Sequence, residues 1–394
     1  MLTLIDNADV YAPEPLGTVP ILLSAGSVLR LGNFDKKALI ETGLEMEVID
    51  AAGCYAFPGF VDPHEHLLGG SGESGFSSQT PEISATEVVS AGITTVVGCL
   101  GVDTTMKTLA GLLAKTKALK EEGLNAYMWT GGYTVPPTTI TNSVRDDIMF
   151  VEEIIGAGEI AIADQRSNEP TALDVARIAH DSYVGGKLSN KAGTVHFHVG
   201  EGPSRLAILR ELVDKHDVPA EWLYPTHINR TDELMLEAIE LAKRGSFIDI
   251  DTADRDLLEK LTFYFDNDGP ENKLTVSSDA SISSPRNLYE QFCRCVREGF
   301  ELKRVLPIFT SNTAAALKLE LKGRIAEGKA ADVIVASKKD LEIREVISLG
   351  KRLIKNGKVE FSENFLQGSN RVIELRGQKV EKTRQAAERR SAHN

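Results

Sequence analysis

The chain has 394 residues, 42% hydrophobic and 26% charged, which is enough for one large α/β domain and a smaller one. Its formal net charge of −13 argues against nucleic acid or an anionic membrane as the main partner, since both ask for a basic face. No stretch approaches a membrane span and the N-terminus lacks the basic-then-apolar layout of a secretion signal, so the expected location is cytoplasmic.

Residues 1 to 55 read as short strands broken by turns: Leu2–Ile5, Thr18–Leu23, Ser27–Leu31 and Met46–Asp50, punctuated by Gly26 and Gly32-Asn33. From 56 to 318 apolar runs alternate with longer amphipathic stretches. The runs are Tyr55–Val61, Thr94–Leu100, Ala126–Thr130, Glu159–Ala163, Thr194–His198, Trp222–Thr226, Phe247–Ile250 and Leu274–Ser278, eight in all. Eight βα repeats with buried strands are what a closed parallel (β/α)8 barrel requires, and there catalytic groups sit just past the C-terminal strand ends. Residues 319 to 374 return to short strands, Ala331–Val335, Glu345–Leu349 and Arg352–Ile354. They are expected to complete the N-terminal unit as a small discontinuous β-sandwich bracketing the barrel. The tail, 375 to 394, is charged and lacks an apolar face, as a loose end or a terminal helix would.

The strand ends carry the chemistry. His64 and His66 close the first run at a spacing that puts both imidazoles on one face of an extended strand. Two neutral nitrogens aimed together are half a zinc-like coordination shell, against the plainer reading of two surface histidines. His198 ends run five, His227 follows run six and Asp279 follows run eight, so four of eight histidines fall where a barrel would gather them. His196 faces the same side one layer deeper and reads as a packing or supporting residue; His180 and His216 fall on helices and His393 in the tail. Cys54, Cys99, Cys293 and Cys295 form no CxxC pair and read as reduced, mostly buried thiols. Cys293 and Cys295 lie in a helical stretch, where a spacing of two points them to different faces.

These residues resemble the amidohydrolase superfamily of metal-dependent hydrolases, and within it the isoaspartyl dipeptidases, or β-aspartyl peptidases. The closer match rests on Pro58-Gly59-Phe60-Val61-Asp62 with His64 and His66, the Gly-rich loop into Glu73, Thr130-Gly131-Gly132-Tyr133, Asp164-Gln165-Arg166-Ser167, Pro225-Thr226-His227-Ile228-Asn229-Arg230 and Ser277-Ser278-Asp279. The resemblance implies cleavage of the β-linked peptide bond of an L-isoaspartyl dipeptide by a metal-bound hydroxide. The metal ligands it implies are His64, His66, His198, His227 and Asp279, with Asp279 also shuttling the proton and Tyr133 polarising the carbonyl. Glu73 matches the residue that meets the substrate ammonium, and Arg166, Arg230 and Ser283 match those that meet its carboxylates. Two zinc ions per subunit are expected, although such ligands also serve manganese and iron. A homo-oligomer is implied as well.

Two departures stand out. Val102 falls where the family has a threonine, and Ser71 replaces a loop glycine. More seriously, Glu159 stands where the family has a lysine that is carboxylated and bridges two metals. Its carboxyl carbon lies three bonds nearer the backbone, a shortfall of roughly 3 to 4 Å against metal–oxygen distances of about 2.0 to 2.2 Å. Either the backbone or the metals move inward and Glu159 bridges, or one metal is kept, or the site is impaired. The competing functions are another amidohydrolase reaction, on a cyclic amide or an N-acyl amino acid, and a catalytically impaired relative that binds a ligand.

Overall fold

The computed structural model describes residues 2–70, 73–253, 256–281, 283–361 and 363–370. Ser71 and the tail 375–394 lie outside the described residues. No helix among the described residues is long and apolar enough to cross a membrane.

Six parallel strands form one curled sheet in chain order: Phe60–Glu65, Ile93–Gly98, Asn125–Thr130, Ile154–Ile162, Val195–Val199 and Leu223–Thr226. Strands seven and eight, Ile248–Asp251 and Leu274–Ser277, pair with each other. Two seams close the ring. Asp279 N–H donates to His64 C=O at 3.1 Å and His66 N–H to Ala280 C=O at 2.9 Å, joining strand eight to strand one. Strand six meets strand seven through the Thr226 hydroxyl, which donates to Asp249 at 2.7 Å. The result is a TIM-like α/β barrel. Its strands are buried on both faces, as Ile93-Thr94-Thr95-Val96-Val97 shows, because helices cover a parallel sheet on one side while the barrel interior covers the other. Several helices begin on capping side chains; in Ala172–Ser189 the Thr171 and Asp174 side chains satisfy each other's backbone N–H groups.

The chain ends build the second domain, a four-stranded sheet facing a seven-stranded one. Ile5, Ile21 and Leu23 from one sheet share a core with Val333, Val335 and Ile347 from the other. One expected element divides in two. The run Tyr55–Val61 is not one barrel strand: Cys54–Pro58 pairs with Val333–Ser337 in the sandwich, and the first barrel strand starts at Phe60. The break falls at Gly59, where any Cβ would lie 2.2 Å from Thr94 Oγ1, so only glycine lets the chain pass between domains. The sandwich pairing therefore runs on through Pro58. Run four also starts earlier than expected, at Ile154, which places Glu159 inside the strand.

A buried ion pair of the second domain meets the barrel through Asn125 on strand three, whose side-chain amide also donates to Asp332 at 3.1 Å. Lys322 donates to Asp332 at 3.0 Å and to Asn125, and Asp332 also accepts from Leu349 N–H at 2.7 Å. Removing one partner strands the other charge without water. Lys322→Met is expected to destabilise the fold by about 3–5 kcal/mol, read as a lower denaturant midpoint. An unchanged midpoint would show that the pair is dispensable.

Candidate metal centre and substrate cleft

Strand periodicity and two unusual backbone conformations aim the cluster. His64 and His66 leave strand one on one face, their Nε2 atoms 3.4 Å apart. His227 and Asp279 lie just past strands six and eight with φ of 62° and 47°, left-handed values that bend each side chain across the barrel mouth. Glu159 sits at a bulge: between the Ala157–Val195 and Ile160–Phe197 pairs, strand four advances three residues while strand five advances two. With the extra residue, its carboxylate reaches all four histidines. Oε2 is 3.4 Å from His64 Nε2 and 3.9 Å from His66 Nε2; Oε1 is 2.8 Å from His198 Nδ1 and 3.5 Å from His227 Nε2. Asp279 Oδ1 completes the set at 3.4 Å from His64 and 3.2 Å from His66.

These separations suit a shared cation. Donors bound at about 2.1 Å to one tetrahedral metal stand about 3.4 Å apart. Glu159 Oε2 is fully buried without a hydrogen-bond partner, an arrangement that a bound cation would satisfy. Three sets of donor atoms each fall within 4.8 Å: His64, His66, Cys99 and Glu159; His64, His227 and Asp279; Glu159, His198 and His227. The residues present therefore fit one or two metal ions, with Glu159 common to both halves.

Behind each imidazole stands a second group. His198 Nε2 lies 2.9 Å from Asp164 Oδ2, and His227 Nδ1 lies 2.9 Å from Asp251 Oδ2. His64 Nδ1 lies 3.1 Å from His196 Nε2, and His66 Nδ1 lies 3.6 Å from Cys99 Sγ. Such partners fix ring orientation and raise ligand basicity. Of these, Asp164, Asp251 and Cys99 have no role in the sequence reading. Asp251 ends strand seven in Ile248-Asp249-Ile250-Asp251, so the strand-end rule that finds Asp279 also finds it. Asp164 and Cys99 follow strands four and two and are equally open to that rule.

The electrostatics follow from this packing. Burial pushes the Glu159 carboxyl up, but His64, His198 and His227 outweigh it and hold the group well below the usual carboxylate range. Asp279 is partly buried, and His64, His66 and His227 outweigh that burial and hold it low as well. Burial, with Asp251 and Glu159 overriding it, leaves the His227 imidazole raised to about 9. The Tyr133 phenol is pushed well above its ordinary value, first by burial and then by Glu159, so it stays a donor.

Beyond the cluster opens a cleft of about 1520 Å³, reached by Glu73, Arg166, Arg230 and Asp279. Tyr133 extends its hydroxyl to His198 Nδ1 at 2.7 Å. Arg166 grips Asp164 with Nε at 2.9 Å and one terminal nitrogen at 2.7 Å, and its other terminal nitrogen donates to Glu73 at 2.8 Å. Arg230 donates to Val199 C=O at 2.8 Å. Ser283 joins through the Asp279 main chain, its hydroxyl donating to that carbonyl at 3.4 Å. Cys293 and Cys295 are buried in the helix Arg286–Arg297.

A family model described as the amidohydrolase family matches residues 55–353. The crystal structure of a β-aspartyl dipeptidase from Fervidobacterium islandicum AW-1 is 38% identical, covers 92% of this chain and 99% of that one, and superposes with a TM-score of 0.88. The same enzyme in complex with the β-Asp-Leu dipeptide matches at 37% identity over 92% and 99% of the two chains, TM-score 0.86. Among curated proteins, adenine deaminase 1 of Desulfotalea psychrophila is 24% identical over 81% of this chain and 52% of its own. The chain thus spans about half the length of the first curated relatives it matches. By the family match over most of its length, and by its likeness to a full-length dipeptidase structure, the chain belongs to the amidohydrolase family, in its β-aspartyl dipeptidase group.

Proposed function

We propose that this chain hydrolyses the β-linked peptide bond of L-isoaspartyl dipeptides, and that His64, His66, Glu159, His198, His227 and Asp279 would hold two zinc ions for the reaction. The observation that carries the reading is the convergence of these six donors at the floor of a cleft lined by both signs of charge. Metal in such a setting polarises a carbonyl and lowers the pKa of water toward ~7.

The remaining steps belong to the protein. Asp279, a carboxylate standing beside His64 and His66 at the floor of the cleft, takes a proton from the attacking water as the carbon–oxygen bond forms. It then gives that proton to the leaving nitrogen as the carbon–nitrogen bond breaks. Tyr133, kept protonated by burial, donates to the carbonyl oxygen where negative charge develops.

The Arg166–Glu73 pair explains how a zwitterion is read. In the structure the two neutralise each other; a substrate ammonium takes the place of the arginine on Glu73 and a carboxylate takes the place of Glu73 on Arg166. Asp164 keeps Arg166 in place during the exchange. Glu73→Gln keeps the shape and removes the charge, so kcat/KM is expected to fall by about 10- to 100-fold, the worth of one charged hydrogen bond. A kcat/KM equal to that of the unaltered protein would remove Glu73 from substrate binding.

The test of the whole reading is turnover of β-Asp-Leu by metal-supplemented protein, set beside α-Asp-Leu, a hydantoin and N-acetyl amino acids. Cleavage of the β-linked dipeptide alone, abolished by a chelator, is the expected result. Preferential turnover of the hydantoin or the N-acyl compounds would replace the dipeptide assignment.

A further inference from the structure

We infer that His196 is a positioning residue: it locks His64 in the tautomer that presents a bare Nε2 to the metal cluster. The inference rests on the metal-binding reading above and concerns which atom of His64 is free to bind.

The argument is one of donors and acceptors. His196 Nδ1 lies 2.9 Å from the carbonyl oxygen of Tyr224. A carbonyl only accepts, so Nδ1 carries the hydrogen, and in a neutral ring Nε2 is then bare. That bare nitrogen lies 3.1 Å from His64 Nδ1, which must therefore be the donor. With its one hydrogen on Nδ1, His64 keeps the Nε2 lone pair, and Nε2 is the atom that stands 3.4 Å from both Glu159 and Asp279. The opposite tautomer would aim an N–H into the cluster, where a cation belongs.

The ring of His196 is held so that it cannot turn away. Trp129 stacks on it at 5.1 Å with an interplanar angle of 14°, and the Trp129 indole donates to Pro63 C=O at 3.0 Å, next to His64 itself. Gly158 packs so closely that a Cβ there would lie 2.7 Å from His196 Cβ. His196 is completely buried, and both of its nitrogens are engaged. A histidine serving only as filler leaves such polar atoms to be satisfied by chance; here they form one directed chain from the Tyr224 carbonyl to the cluster. Carboxylates stand behind His198 and His227, whereas a neutral ring stands behind His64, so this ligand is oriented without added negative charge.

The experiment compares the full-length protein with His196→Phe, which keeps an aromatic ring against Trp129 but loses the acceptor, and His196→Gln, which restores an acceptor. Imidazole nitrogen chemical shifts are expected to show His196 neutral with its hydrogen on Nδ1 in the metal-free protein, and the single His64 hydrogen on Nδ1 once zinc is bound. Zinc bound per subunit in competition with graded chelator is expected to show one ion weakened by about 10- to 100-fold in the phenylalanine variant and largely recovered in the glutamine variant. Thermal unfolding of the metal-free forms checks that both variants fold. Equal zinc retention by His196→Phe and the unaltered protein, or equal loss in both variants, would reduce His196 to packing. A shift placing the His196 hydrogen on Nε2 would overturn the tautomer directly. If the unaltered protein took up no zinc, the functional reading would fail, while the nitrogen shifts would still decide the tautomer.

Discussion

Replacing Asp279 by asparagine is expected to lower kcat for β-Asp-Leu by about two to four orders of magnitude, the usual worth of a positioned proton-transfer group. The amide keeps the shape and an oxygen toward His64 and His66, so one ligand atom survives, but it cannot accept and return a proton. Asp279 is well suited to transfer through position more than basicity. Its pKa lies below the usual carboxylate range, which makes it a weak base in free solution. Its left-handed backbone at 47° and main-chain bond to His64 hold the carboxylate over the site, so little reorganisation precedes the transfer. The measurement is kcat and KM alongside zinc per subunit. A large fall in kcat is expected even where added zinc keeps the site filled; a kcat within a few-fold of the unaltered protein under those conditions would assign the proton to another group.

The parts of this site that sequence makes legible are those governed by local periodicity. An i, i+2 histidine pair declares its shared strand face, and apolar runs of four to eight residues declare strands whose ends a barrel gathers. What periodicity cannot carry is contact across the barrel. Nothing near Asp164 in the chain announces that it will stand behind His198 and beneath Arg166 at once, since both contacts depend on how far strand four projects. The corner at Gly59 is hidden for a related reason: Tyr55–Val61 is apolar throughout because both of its halves are buried, each against a different domain. The Arg166–Glu73 pair was hidden by chemistry, because assigning the two residues to opposite ends of a substrate leaves out their attraction for each other.

Glu159 is where local reading and tertiary structure diverge most, and it gives the second large prediction. Counted in bonds, its side chain is too short to stand in for a carboxylated lysine. The bulge between Ala157 and Ile160 supplies reach from the backbone instead, and the carboxylate lands within 3.9 Å of a nitrogen of all four histidines. If it bridges, Glu159→Gln removes a charged ligand from both ions at once. Structural zinc in small proteins binds with about 10–16 kcal/mol over four ligands, so one ligand is worth about 3 kcal/mol, or two to three orders of magnitude in affinity per ion. Glu159→Gln is therefore expected to lose most of both ions on dialysis, whereas Asp279→Asn disturbs only the His64–His66 half. Zinc per subunit and anomalous scattering from crystals of each protein make the comparison. Two fully occupied ions in the Glu159→Gln protein would sink the bridge, and a single ion in the unaltered protein, away from Glu159, would favour a one-metal site over the two-metal arrangement.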